Sequence, residues 1–600
     1  MNKKKELYKS IIWTAVAFIV GGLFLMLIYL KTGFYFETID DVFISDMLKG
    51  GVTGQPEYHT FHSALTFTFP LTCLYRINHT APWYGIAILL MHWLSISLPL
   101  TAMYSRCQKL YENIIATFAT LLMSALCLKL FSYPQYTSTA MLTAISGFSC
   151  LILNKRRLPG LIEFGLMELM AYGIRPEAME LIQPLGFALL LGLLLSGIFN
   201  RFIISRNPQN NTDNSSKTSP KSDRLRKGLG YIGIPLAISL GIILVEILIQ
   251  NIAYSSPEWK QAVSAHESRI LLVDYYGFPE ADEVSDILET NGVSSEEYVA
   301  YTEYLNYSWD SSNGVLEQIA DYARQKSKSE ANIASILKML YLNYKNWPWN
   351  MYKVLIGAFI VELLAIIIFR KPGALFMNLG FQMAKLISWG YIFYKGRLPD
   401  RIITPLYLIE LISILIITLA VILDADSDIN PGDNKNTATV DIRKTVVKIS
   451  AVALSFIPLC YFTYRTTQEE YRYIDSQKQS VLIWADMPEE YEAYCNSHPE
   501  NRYLLAFKDF CYWKRGLLEA YSSDSNYIYG GGWYVTLPDA GKYADNYLNA
   551  PNVLFIAPHI EEIDITNQIS YLEKKYNCEL IPEEYIVFKN GIEYCIYRIH

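Results

Sequence analysis

The chain has 600 residues, of which 52% are hydrophobic and 18% are charged, and its formal net charge is −7 at pH 7. At about 150 residues per domain, this length would make four soluble domains. Long uncharged runs, however, alternate with ordinary polar stretches, and about 18 apolar residues are enough to cross a bilayer. The composition therefore excludes a soluble enzyme and a disordered chain, and the acidic balance gives no sign of a nucleic-acid partner.

Eleven apolar runs are long enough to be membrane-spanning helices. The first, 11–30, carries no charge, follows a cluster of lysines and lacks the small-residue cleavage site of a signal peptide. We therefore predict a retained anchor whose basic end is cytoplasmic. The other runs lie at about 83–104, 113–130, 136–153, 158–172, 181–199, 229–250, 351–369, 374–394, 403–423 and 446–463.

The distribution of lysine and arginine orients these spans. Eleven spans place the N-terminus inside the cell and the C-terminus outside, and the basic loop 200–228 is then cytoplasmic, as the positive-inside rule expects. The weakest span is 158–172, which carries Glu163 and Glu168, but without it that basic loop would face outside. We predict a polytopic α-helical protein of the bacterial plasma membrane, with about eleven transmembrane helices.

Three regions then lie outside the cell. The first loop, 31–82, contains an apolar segment at 61–74 that is short enough for an interfacial helix. The long loop 251–347 has helical periodicity at 282–306 and 315–342. The third region, 464–600, is predicted to be a small extracytoplasmic α/β domain that follows the transmembrane domain 1–463.

The predicted elements of the C-terminal domain are short. Apolar runs at 481–485, 503–507 and 553–557 indicate buried strands, 564–576 indicates a helix, and Asn590-Gly591 between two further runs indicates a β-hairpin. The glycines at 530–532 follow no dinucleotide-binding spacing, so we expect a solvated loop there. Four cysteines of this domain are either disulfide-bonded or free: Cys495, Cys511, Cys578 and Cys595.

An acidic pair, Asp40-Asp41, lies about ten residues beyond the first span. Its neighbours are apolar, and a carboxylate partly removed from water has a raised pKa and can act as a general base. Two carboxylates together can also bind a divalent metal. The alternative is structural, because aspartate is favoured at the start of a helix. We predict that Asp40 and Asp41 are catalytic and that they are the ligands of any metal.

Further candidates for substrate binding lie on the same side of the membrane. Glu57, His59 and His62 follow a glycine-rich turn and could bind a polar ligand, although three such residues are only a weak metal signal. Charged or amide side chains lie near the outer ends of spans, and the cations among them suit an anionic headgroup, because arginine can bind phosphate through two hydrogen bonds. Each could instead anchor a helix or pair with a nearby carboxylate. The candidates of this second group are Gln135, Arg175, Arg269, Lys395 and Arg397, with Arg401 beside them.

Lys385, Glu246, Glu362 and Glu410 also lie inside predicted spans. Such residues are costly in a membrane and are functional candidates by default. They could pair with each other, which would be structural, or form an ion path, which would indicate a transporter. The sequence leaves both alternatives open.

These features together resemble the GT-C superfamily of integral-membrane glycosyltransferases, which includes protein O-mannosyltransferase-like and lipid A aminoarabinose transferase-like enzymes. The similarity covers the many spans, the acidic pair in the first outside loop, the interfacial helices and the extracytoplasmic C-terminal domain. The segments closest to bacterial members are Asp40-Asp41, Pro82-Trp83-Tyr84, Ile174-Arg175-Pro176 and Gly396-Arg397-Leu398-Pro399. The pair is Asp-Asp where the mannosyltransferases typically have Asp-Glu, which leaves donor and acceptor open.

The resemblance implies a reaction at the outer face of the membrane. A polyprenyl-phosphate sugar would be the donor, a glycan, lipid or protein the acceptor, and the sugar would be transferred with inversion. Asp40 or Asp41 would deprotonate the acceptor hydroxyl, and Arg175, Arg397 or Lys395 would stabilise the departing phosphate. No cofactor is assigned, and a divalent metal stays an open alternative.

Two other functions are compatible with the sequence. A transporter or flippase for lipid-linked or polymeric glycans would depend on Lys385 and the intramembrane glutamates more than on Asp40-Asp41, although no inverted repeat is evident. A membrane sensor or assembly factor would need no acidic pair and would bind its ligand through 464–600.

Overall fold

The computed structural model describes most of the chain. The residues outside its description are 1, 108, 206–220, 304, 306–313, 328–333, 335–336, 339–340, 343–350, 395–399, 426–455, 477–486, 508–514, 520–525, 562, 590 and 600. Seven helices in the described part are long and apolar enough to cross a membrane. They are Leu7–Thr32, Trp83–Arg106, Tyr136–Leu153, Pro176–Gly197, Gly230–Ala253, Met351–Phe369 and Arg401–Ile422. Each coincides with a predicted span, so the chain folds as a polytopic helical membrane protein.

The other four predicted spans differ from these seven. The run 113–130 is divided, because α5 ends at Leu126 and a separate short helix begins at Leu128. The runs 158–172 and 374–394 form helices that are not among the seven. The run 446–463 lies partly outside the described residues. The number of eleven spans and the orientation of the chain therefore stay predictions.

The helices of the first half are numbered in chain order. They are α1 (Asn2–Thr32), α2 (Ile39–Lys49), α3 (Leu65–Ile77), α4 (Trp83–Arg106), α5 (Leu110–Leu126), α6 (Leu128–Ser132), α7 (Tyr136–Leu153), α8 (Arg157–Ile174), α9 (Pro176–Ser205), α10 (Lys221–Ala253) and α11 (Pro257–Ile270). A π-helical turn, Leu271–Tyr276, continues α11.

The helices of the second half complete the bundle, the loop 251–347 and the C-terminal region. They are α12 (Ser285–Thr290), α13 (Ser295–Thr302), α14 (Val315–Ser327), α15 (Met351–Phe369), α16 (Leu375–Tyr394), α17 (Asp400–Ala425), α18 (456–476), α19 (Met487–Ser497), α20 (Pro538–Leu548) and α21 (Thr566–Tyr576). The helices of the loop 251–347 bury a small core of their own, which includes Leu272, Tyr298 and Ile319.

The centre of the bundle is formed by α7 and α17. The segment Tyr136–Leu153 is buried along its whole length, and Arg401–Ile422 is buried over nearly all of its length. The helix α7 packs against α4, α8, α9 and α17. In contrast, α1 and α10 leave most of their apolar surface uncovered, as expected for helices that face lipid. The first residues of α7 and α17 therefore meet at one end of the bundle interior.

The C-terminal region contains a five-stranded sheet with the order β2-β1-β3-β5-β4. The strands are β1 (Arg502–Ala506), β2 (Tyr527–Gly530), β3 (Val553–Pro558), β4 (Ile581–Val587) and β5 (Glu593–Arg598). The strand β1 is parallel to β2 and β3, while β5 is antiparallel to β3 and β4. The central strand β3 is buried throughout, because helices cover a sheet whose middle strands are parallel.

Most predicted elements of this region are confirmed. The strands at 503–507 and 553–557, the helix at 564–576 and the hairpin around Asn590-Gly591 are present as β1, β3, α21 and the β4–β5 pair. The predicted strand at 481–485 lies outside the described residues. The strand β2 was not predicted from the sequence. Cys495, Cys578 and Cys595 are free thiols, and Cys511 lies outside the described residues.

Candidate active site

The segment that leads into α2 is held between two other parts of the chain. On one side, the Tyr35 amide donates to the Ser132 carbonyl over 3.1 Å and the Glu37 amide donates to the Pro134 carbonyl over 3.0 Å. On the other side, the Phe36 amide donates to the Arg515 carbonyl over 3.0 Å, and the Leu517 amide donates to the Phe34 carbonyl over 2.9 Å. The membrane bundle and the C-terminal region therefore both position the start of α2.

Asp41 is buried and serves as an anchor. It is 0% exposed, and its carboxyl accepts hydrogen bonds from the Tyr84 hydroxyl (2.8 Å), the Thr38 hydroxyl (2.9 Å) and the Tyr136 backbone amide (3.0 Å). Burial raises the pKa of Asp41 to about 8, which outweighs the opposing effect of these donors. Because these contacts join α2 to α4 and α7, Asp41 holds the first loop onto the bundle.

Asp40 is the more accessible member of the pair. Its side chain is 19% exposed. The Arg401 guanidinium donates to Oδ2 over 3.1 Å, and the Trp533 indole N–H donates to Oδ1 over 3.1 Å. The Tyr136 hydroxyl lies 3.5 Å from Oδ2. One carboxylate is thus bound by the membrane bundle and by the C-terminal region, with part of its surface free for a ligand.

The pair does not occupy the helix N-cap position, which is the structural alternative that the sequence left open. The N-cap residue of α2 is Thr38, and Asp40 and Asp41 lie in the first helical turn. Negative charge is favourable in that turn because the unpaired amides at a helix start carry partial positive charge. The two carboxylates therefore favour the start of α2 without capping it.

Arg175 lies beside this pair. It occupies the junction between α8 and α9, and its guanidinium carbon lies 5.1 Å from the centre of the Tyr136 ring. One guanidinium nitrogen lies 2.7 Å from Nδ1 of His62, and another is 3.0 Å from the Glu177 carboxylate. Asp274, in the π-helical turn, interacts electrostatically with both Arg175 and Arg401. Arg175, Arg401, Asp40 and Asp41 all interact electrostatically with Tyr136.

Glu57 and His59 form a separate pair. Nδ1 of His59 lies 2.5 Å from the Glu57 carboxylate, and the His59 amide also donates to it. Burial acts to raise the pKa of Glu57, but the hydrogen bonds from His59 outweigh it and lower this pKa. The His59 ring stacks on Trp259 with 4.4 Å between ring centres. The pair therefore packs against α11 rather than against Asp40.

The remaining predicted site residues are Gln135, Arg269, Lys395 and Arg397. Gln135 is 0% exposed and caps α7, since its side-chain oxygen accepts from the Ser138 amide. Arg269 is 2% exposed on α11. Lys395 and Arg397 lie outside the described residues. Among the described residues, no group of three or more His, Cys, Asp or Glu side chains is arranged to hold a metal ion.

The glycines at 530–532 do not form the solvated loop expected from the sequence. All three are buried, and Gly532 has a positive φ of 110°. A Cβ atom at Gly532 would lie 3.0 Å from the Phe43 ring of α2. The glycines therefore allow this loop to approach α2 closely, which places Trp533 against Asp40. In the sequence, only the tyrosines and glycines before Trp533 mark this segment. They do not predict that Trp533 contacts Asp40, which lies 493 residues earlier in the chain.

Comparisons with known proteins add little to this picture. No protein-family model matches the chain, and no curated protein matches it. The solved structures similar to it include ArnT from Cupriavidus metallidurans bound to undecaprenyl phosphate and the same protein in the apo state, with TM-scores of 0.42 and 0.41. Each is 10% identical, and each alignment covers 98% of this chain and 97% of that chain. Scores this low do not establish a shared activity or ligand.

Proposed function

We propose that the protein is a membrane glycosyltransferase that moves a sugar from a polyprenyl-phosphate donor to an acceptor hydroxyl at the outer face of the membrane. Asp40 is the general base, and Arg175 and Arg401 bind the donor phosphate. The observation that carries this proposal is the geometry of Asp40, a partly exposed carboxylate bonded to Arg401 and lying across Tyr136 from Arg175.

The transfer is a single displacement at the anomeric carbon. An acceptor oxygen forms the new bond to this carbon while its proton passes to Asp40. The bond between the anomeric carbon and the phosphate oxygen breaks, and its electron pair leaves with the lipid phosphate. The attack comes from the side opposite to the phosphate, so the configuration inverts.

The arginines supply the stabilisation that the departing phosphate needs. Preorganised positive groups aimed at developing negative charge are often the largest contribution to catalysis. Arg401 is paired with Asp40, and an incoming phosphate would share this guanidinium with it. Such sharing would bring the leaving group and the base to the same residue.

The position of these residues favours a lipid-linked donor. Tyr136 and Arg401 begin α7 and α17, which are the two central helices, and Arg175 precedes α9. All three therefore lie where apolar helices start. A phosphate carried on a membrane lipid would be delivered to this level, whereas a soluble nucleotide would need a separate domain to bind it.

The test uses purified protein in lipid, supplied with labelled polyprenyl-phosphate sugars. We expect Asp40→Asn to lower kcat by about 10²- to 10⁴-fold, the usual contribution of general base catalysis, with donor binding retained. The matched control is Asp282→Asn, which changes an exposed carboxylate on the long outside loop. Full turnover in Asp40→Asn, or no donor consumption by the wild type with any sugar and acceptor in the panel, would overturn the proposal.

A further inference from the structure

His266 of α11 is buried without a hydrogen bond. Its side chain is 7% exposed, and neither ring nitrogen has a hydrogen-bond partner in the described part of the chain. Buried polar groups in proteins are nearly always paired, since a buried unpaired group loses its bonds to water without replacement. The position of His266 therefore calls for a partner beyond the described residues, and a bound ligand is such a partner.

The surroundings of His266 are those of the proposed active site. Its ring stacks on Phe61, with 3.9 Å between ring centres and 10° between the planes. The ring centre of His62 lies 5.3 Å away and that of Trp533 lies 6.4 Å away. Trp533 is the residue that donates to Asp40. One aromatic side chain thus separates the unpaired imidazole from the proposed base.

His266 is a neutral imidazole at physiological pH. Burial lowers its pKa to about 3, and the positive charges of Arg269 and Arg175 act in the same direction. A neutral imidazole carries one N–H donor and one nitrogen acceptor. This combination matches a hydroxyl group, which can accept one hydrogen bond and donate another.

We propose that His266 binds a hydroxyl group of a neutral sugar, on the basis of its buried, unpaired ring, its stacking on Phe61 and its proximity to Trp533. This inference rests on the proposed function and names the class of its substrate. An ammonium group fits poorly, because it offers donors only and would be repelled by Arg175 and Arg269. The sugar is either the one being transferred or a sugar acceptor.

The test compares His266→Phe with the wild type, because phenylalanine keeps the stack on Phe61 and removes both nitrogens. We expect KM for neutral sugar substrates to rise about tenfold, which corresponds to the loss of one hydrogen bond of ordinary net strength. We expect the ligand-free Tm to stay unchanged or to rise, because the variant no longer buries unpaired nitrogens. The matched control is His559→Phe, an exposed histidine on the C-terminal sheet domain.

Separate titrations identify the sugar that His266 binds. A rise in KM for the donor alone assigns His266 to the transferred sugar, and a rise for the acceptor alone assigns it to a sugar acceptor. Unchanged KM for both substrates, or a wild-type preference for amino sugars over their hydroxyl counterparts, would overturn the inference while the proposed transferase stands. A drop in Tm with unchanged KM would show that His266 is structural. If the wild type consumes no donor, the proposed function fails and the inference fails with it.

Discussion

At the scale of single residues, adjacent aspartates have different environments. Asp41 is enclosed by three hydrogen-bond donors and by apolar packing, whereas Asp40 keeps part of its surface exposed beside an arginine. The one-residue step along the first turn of α2 separates these environments, since successive residues of a helix point about 100° apart. Local sequence could not assign the two roles, because both residues have the same neighbours in the chain.

The raised pKa of Asp41 predicts how stability depends on pH. Its folded-state pKa of about 8 lies well above the ordinary aspartate pKa of 3.8, so the folded protein holds a proton there that the unfolded chain releases. Stability from this proton is fully present below about pH 4 and is lost as the pH rises toward about 8, with a slope of at most about 1.4 kcal/mol per pH unit.

This dependence is measurable as the Tm of the purified protein between pH 5 and pH 9. We expect Asp41→Asn, which resembles the protonated carboxyl, to have a flatter profile than the wild type over this interval. An equally steep profile in the variant would mean that Asp41 is ionised in the folded protein throughout the range.

At the scale of helices, two of the intramembrane charges, Lys385 and Glu410, form an internal pair. Nζ of Lys385 on α16 lies 2.5 Å from the Glu410 carboxylate on α17, and Gln382 donates to the same oxygen over 3.0 Å. Both charged side chains are buried. Glu362 accepts a hydrogen bond from Asn378 in the same part of the bundle. These contacts favour the structural alternative that the sequence left open for Lys385 and Glu410.

A double-mutant cycle tests this role. We expect Lys385→Met alone to destabilise the protein by about 3–5 kcal/mol, because it leaves a buried carboxylate without its partner. We expect Lys385→Met combined with Glu410→Leu to recover most of the loss, since replacing both members of a buried pair is often neutral. The measurement is unfolding in mixed micelles together with sugar transfer. Loss of sugar transfer in a stably folded double variant would instead assign the pair a direct role in function.

At the scale of the whole molecule, the C-terminal region docks closely on the membrane bundle. The Leu517 carbonyl passes over Gly85 in the first turn of α4, and a Cβ atom at Gly85 would lie only 1.8 Å from this oxygen. A second contact joins Arg515 to Asp46 at the other end of α2. The absence of a side chain at Gly85 therefore allows the two parts to meet.

Substitution of Gly85 tests whether this docking supports the site. We expect Gly85→Ala to lower sugar transfer by at least about tenfold, because a displaced 515–517 segment no longer holds the start of α2, and proximity in an active site is lost with shifts of about 1 Å. Gly233→Ala in α10 is the matched control, since nothing lies within 4 Å of a Cβ atom there. Normal transfer by Gly85→Ala would show that the docking is dispensable. Limited proteolysis of the C-terminal region reports the displacement independently.

The limits of sequence-based prediction follow from how far apart in the chain the contacting residues lie. Elements that depend on local pattern, such as β1, β3 and the β4–β5 hairpin, were predicted because alternation and turn residues are visible within a few positions. The proximity of Arg401 and Trp533 to Asp40 depends on the tertiary fold, which no local pattern encodes. The glycines at 530–532 were misjudged for the same reason, because glycine permits both an open turn and a close approach to another element.

The backbone pairing around residues 34–37 has a consequence for the order of folding. Its partners on one side, residues 132–134, follow much sooner in the chain than its partners on the other side, residues 515–517. The segment 34–37 is therefore unpaired on one side until the C-terminal region docks. A chain cut between the two parts would lose both this pairing and the bond from Trp533 to Asp40. Under the proposed function, sugar transfer thus reports that the two parts have been assembled.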